Sequence, residues 1–171
     1  MVEVTFEPYY LHPPRCVILP GMTYSLEARR ALTEAFEGVR LDAYPDPASG
    51  GDPWTIGYGH TGPDVTPGLS INIDQADALL VRDIATSEAA VISAVSGRLT
   101  QHQFDALVDF AFNVGTDAFR SSTLLRMVNL ADYAAADLEF AKWIRAAGKV
   151  FPGLVKRRAA EARWFATDDE P

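Results

Sequence analysis

Between Ser25 and Thr61 the hydrophobic period of the chain changes from about 3.6 residues to 2, and that switch constrains the fold more than any other feature. Ala28, Ala31, Leu32, Ala35 and Phe36 recur at helical spacing. Ser25 suits the N-cap, Glu27 the first turn and Gly38 the left-handed C-terminal cap, so a helix is expected from Ser25 to Glu37. After it, Val39 to Tyr44 reads as one strand and Trp54 to His60 as another. In the second, Trp54, Ile56 and Tyr58 alternate with Thr55, Gly57 and Gly59. A helix running directly into a small antiparallel sheet points to an α+β chain.

Three polar residues stand out in this stretch. Glu37 occupies the last helical turn, where the helix dipole is negative. Dipole and partial burial both disfavour the charged carboxylate there, which suits a general acid. An ordinary surface Glu in a frayed turn fits the same pattern. Asp46 lies between Pro45 and Pro47, which restrict the backbone on both sides; a plain turn residue is the competing reading. Asp52, before Pro53, is a weaker copy of that pattern. Thr55 shares its strand face with Gly57 and Gly59, leaving a bare face that a ligand or another backbone could approach.

The segments FEG, AYPD and WTIGYGHTG, taken in order, resemble the signature of the bacteriophage-type lysozymes, the muramidases of glycoside hydrolase family 24. The resemblance continues through LTQHQFDALVDFAFNVG, AFRSSTLLR and KVFPGLVKRRAAEARWF and spans roughly residues 23–166. It implies hydrolysis of the β-1,4 bond between N-acetylmuramic acid and N-acetylglucosamine in peptidoglycan, and hence host lysis. It makes Glu37 the acid, with Asp46 and Thr55 holding and activating water, and Tyr58, His60 and Asn113 the substrate contacts. Glu37 to Asp46 is nine positions, as in the family, but Asp46 to Thr55 is also nine, three longer than the shortest family pattern. An extension at the hairpin tip accounts for the difference and keeps Asp52 as a rival to Asp46. For His60, pairing with Asp64 or an acidic helix residue is the structural alternative; for Asn113, a plain helix C-cap.

Downstream, Asn72-Ile-Asp-Gln75 opens a helix expected to run to about residue 96, long enough at about 1.5 Å per residue to tie a β-lobe to a helical lobe. Thr100-Gln-His-Gln103 is a second capping box, followed by Phe104, Leu107, Val108, Ala111 and Phe112 at buried-helix spacing. Three more helices are expected, from Ser121, from Ala131 to Ala147 and from Leu154 to Phe165. The expected division is an irregular extension over 1–22 and a lysozyme-like catalytic domain over 23–171. Within the domain, a β-containing lobe covers about 38–72, the connecting helix about 73–96 and a helical lobe about 100–166.

Composition narrows the partners. The formal charge of −8 argues against nucleic acid, and no apolar run approaches the about 18 residues a membrane span needs. A single cysteine permits no internal disulfide. With no CxxC, HExxH or phosphate loop, neither metal nor cofactor is expected. The expected state is a monomer made in the host cytoplasm, reaching the periplasmic wall through a holin-type pore as the resemblance implies. Residues 142–163 hold seven basic side chains against the single acidic Glu161. They read either as a basic wall for an anionic polymer or as a solvated helix face.

Overall fold

The computed structural model describes residues 21–45, 52–146 and 148–167. The extension proposed over 1–22, all but its last two residues, and Asp46 lie outside the described residues. The fold is mostly helical with a small antiparallel sheet.

The first helix is not uniform. Short α-helical turns, α1 (Leu26–Ala28) and α2 (Ala35–Glu37), flank a π-helical stretch, Arg29–Glu34. Ser25 caps it as expected, accepting from the Ala28 amide at 3.0 Å. The wider π turn changes which side chains face inward. Ala28, Leu32 and Thr33 are buried, whereas Ala31 and Ala35, read from an ideal α period as core, face solvent. Gly38, at φ 66°, then redirects the chain into β1 (Arg40–Pro45).

The strand expected over Trp54–His60 folds back on itself. β2 (Trp54–Gly57) pairs with β1, Tyr44 opposite Thr55, and then with β3 (His60–Thr61), Ile56 opposite His60. Gly57 and Gly59 carry φ values of 64° and 95°, so their absent side chains serve the turn between the strands. A Cβ on Gly57 would also lie 3.5 Å from the Cβ of Ala76. The glycines therefore do not leave the bare strand face that alternation suggested. On the outer edge of β1, Ala43 and Leu41 exchange backbone hydrogen bonds with Leu69 and Ile71 at 2.9 Å.

Helix α3 (Ile73–Ala94) and helix α4 (Gln101–Val114) both open on complete capping boxes, Asn72 with Gln75 and Thr100 with Gln103. Four helices follow: α5 (Thr116–Arg120), α6 (Thr123–Asn129), α7 (Tyr133–Phe140) and α8 (Pro152–Phe165). Helix α5 was not anticipated. The helix expected over 131–147 stops at Phe140, and a hairpin, β4 (Arg145–Ala146) against β5 (Lys149–Val150), replaces its second half. Gly148, at φ 76°, makes that turn, and Phe151 N–H donates to the Ile144 carbonyl at its base. Phe104, Leu107, Phe110, Phe140 and Phe165 centre the core, with the Phe110 ring edge-on to Phe140 and Trp143. Helix α4 is buried along most of its length between α3 and α8.

Candidate active site

A cleft of about 390 Å³ opens where the sheet meets α4, lined by Glu37, Tyr58, Gly59, Thr61, Asp83, Phe112 and Asn113. Glu37 reaches it from the end of α2, its side chain 25% exposed. One carboxylate oxygen accepts from Arg157 Nη1 of α8. The guanidinium is almost wholly buried and is itself forked onto Asp109 of α4, Nε to Oδ2 at 3.1 Å and Nη2 to Oδ1 at 3.0 Å. Asp109 has no exposed surface and also accepts from Thr33 Oγ1 at 2.7 Å. The π turn is what points Thr33 inward to make that bond. Burial pulls the proton affinity of Arg157 down, but the charge and hydrogen bonds of Asp109, then Glu37, outweigh it and leave the guanidinium above its ordinary value. Arg157 is a permanent cation.

Beside it Arg158 donates from Nη1 to Glu161 Oε2 at 2.8 Å and from Nη2 to Asn113 Oδ1, with the guanidinium 4.9 Å from the Phe110 ring centre. Burial pushes the Glu161 carboxyl well above the usual carboxylate range, against the pull of Arg158. The two central arginines of the basic stretch are thus neither a free basic wall nor a solvated face. They are internal cations matched to Glu37, Asp109 and Glu161. Lys142, Arg145, Lys149, Lys156 and Arg163 remain exposed.

The opposite wall is built around His60. Nδ1 lies 2.8 Å from Asp83 Oδ2, and Nε2 lies 2.8 Å from Arg82 Nη2. Because a guanidinium only donates, Nε2 is the acceptor and the ring proton sits on Nδ1, directed at Asp83. Asp64 closes the group by accepting from Arg82 at 3.1 Å, and the Arg82 guanidinium holds its carboxyl below the usual range. His60 is 7% exposed and stands behind Asp83, so the structure does not bring it among the side chains that line the cleft.

The structure therefore gathers Glu37, Tyr58 and Asn113 on one cleft. Asn113 is not the cap of α4; Gly115, at φ 91°, fills that position. Thr55 is 9% exposed on the central strand, and its partner Thr61, not Thr55, lines the cleft. Asp109, Thr33 and Asp83 escaped the sequence reading, and Arg157 enters it only as part of the basic stretch. Two patterns carried a signal. Asp105 and Asp109 interrupt a buried apolar helix at i, i+4, and Arg157, Arg158 and Glu161 share one helix face at the spacing of intrahelical ion pairs. Among the described residues no group of three or more His, Cys, Asp or Glu could hold a metal ion, and no helix is long and apolar enough to cross a membrane.

Residues 34–161 match the phage lysozyme family, and the chain belongs to it. It is 43% identical over 133 residues to the endolysin of Salmonella phage P22, covering 75% of this chain and 88% of that protein. It is 46% identical over 134 residues to the endolysin of Bacillus phage PZA, covering 78% of this chain but 52% of that one. The chain thus spans about half the length of the endolysins of Bacillus phages PZA and B103 that it matches. Among solved structures it superposes on the muramidase domain of SpmX from Asticaccaulis excentricus with a TM-score of 0.79 at 37% identity, covering 86% of this chain and 100% of that one. A variant of P22 lysozyme gives 0.77 at 36% identity, with the same coverage of both chains.

Proposed function

We propose that this protein is a muramidase, a glycoside hydrolase that cleaves the β-1,4 bond between N-acetylmuramic acid and N-acetylglucosamine in peptidoglycan. The observation that carries the reading is Glu37, a carboxyl at the mouth of a polar cleft, gripped through one oxygen by a fixed buried cation. Its other oxygen remains to deliver a proton to the glycosidic oxygen. The names of the relatives, endolysin and muramidase, point the same way.

In this reading Asp46, ionised, and Thr55 hold the attacking water on the far side of the sugar. Inversion then requires roughly 6.5–9.5 Å between the carboxyls. Tyr58 and Asn113 contact the sugars from the two walls. The protein acts on the cell wall as a monomer, without metal or cofactor, after release through a holin-type pore.

The deciding experiment is mass spectrometry of muropeptides released by the wild type and by Glu37→Gln. Reducing ends from the wild type and none from a folded Glu37→Gln support the proposal. Anhydro-muramyl ends would identify a lytic transglycosylase, which needs an acid but no water. Asp46→Asn is expected to cost at least ~100-fold in rate and Asp52→Asn little; the opposite ranking transfers the role to Asp52.

A further inference from the structure

We propose that Asp109 is a positioning residue for the reaction, acting on Glu37 through Arg157. The inference rests on the hydrolase reading of Glu37. A guanidinium that ends a long side chain ordinarily moves with its partner. Here it cannot. Two of its three nitrogens are forked onto a buried carboxylate. That carboxylate is fixed in turn by the Thr33 hydroxyl at 2.7 Å, with the Tyr24 hydroxyl at 2.8 Å from Thr33 and 3.4 Å from Asp109. The third nitrogen is left for Glu37. The chain of contacts runs from the π-helical stretch through α4 to α8 and returns to the end of the same first helix. Glu37 therefore takes its place from the guanidinium.

The charge of Asp109 has a second consequence. A bare cation beside Glu37 would favour the ionised carboxylate, the wrong form for an acid. Asp109 supplies the compensating negative charge at the same guanidinium. The other groups facing this site are Arg158 and Glu161, which pair with each other on α8, Asp83 across the cleft, held by His60, and the Tyr58 hydroxyl. Asp109 takes two hydrogen bonds from the cation that touches Glu37; Glu161, equally buried and 3.5 Å from Arg157 Nε, is hydrogen-bonded to Arg158 instead, and burial pushes its carboxyl well above the usual range.

The test compares Asp109→Asn with Thr33→Val, using purified peptidoglycan and Tm to verify folding. Asp109→Asn keeps the shape but removes the charge. It is expected to lower kcat about tenfold with little change in KM, the scale of one charge-assisted hydrogen bond. It should also move the descending limb of the pH profile to lower pH by roughly one unit. Thr33→Val loosens Asp109 and keeps its charge, so kcat should fall several-fold with the limb in place. A folded Asp109→Asn with wild-type kcat and limb overturns the proposal. If that variant does not fold, a wild-type kcat in Thr33→Val overturns it. The Arg157 Nε–H resonance gives a readout without turnover: slow solvent exchange in the wild type and fast exchange in Thr33→Val are expected, and equal exchange counts against the proposal. Failure of the wild type to release muropeptides defeats the hydrolase reading and leaves this resonance to judge the contact.

Discussion

The buried acids of α4 and α8 sit in different environments. Asp105 accepts from the Ser25 amide and hydroxyl at 3.0 and 2.6 Å and from Gln101 at 2.8 Å, yet burial outweighs those bonds and raises its carboxyl above the ordinary range. A carboxyl raised in the folded state binds its proton more tightly there than in the unfolded chain. Its contribution to stability is then greatest below the unfolded value, near pH 4, and declines as pH rises toward the folded value. Asp105→Asn should flatten that decline, and urea midpoints measured across the mildly acidic range will check it. Glu161 is raised by burial in the same sense, so some slope should remain. Its bond to Arg158 gives a second expectation. Arg158→Met alone should cost about 3–5 kcal/mol by stranding a buried charge, while adding Glu161→Leu should recover most of the loss. A double-mutant cycle in denaturant reads the difference directly.

At the scale of elements, the two capping boxes and the long α3 were legible because each is a local device: a side chain, an amide three residues on, and an apolar period. Thr100→Ala should accordingly cost about 1 kcal/mol, read from the denaturation midpoint, with no effect on cleft residues. The π turn was not legible. Its cause is tertiary, a buried carboxylate on α4 that rewards bringing Thr33 inward, and an ideal period placed Ala31 in the core instead. The hairpin after Phe140 was missed because its alanines favour a helix, and only Gly148 marked the turn. Of the cleft lining, Glu37, Tyr58 and Asn113 could be read from the motif because they lie where helix and strand end. Arg157 and Asp109 could not be placed, since a basic run and an interrupted apolar helix acquire meaning only when α8 packs on α4.

For the whole molecule, internal pairing of Arg157 and Arg158 alters the electrostatic expectation. With those cations matched inside, the exposed basic corner is reduced to scattered lysines and arginines on a chain of formal charge −8. Repulsion from an anionic wall should then outweigh steering, and lysis should increase as salt rises toward 0.1 M, where the Debye length is about 10 Å. A turbidity assay on permeabilised cells over a salt series checks the sign. The long helix α3 has a mechanical consequence as well. Its first turns bury Ala76 and Leu80 near the sheet, and its last bury Val91 among the helices, so one rod runs the length of a single core from its sheet end to its helical end. Amide hydrogen exchange should be graded along this single helix. Amides near Leu80 should exchange through opening of the sheet end, and those near Val91 only through global unfolding, with mild denaturant accelerating the second group more steeply.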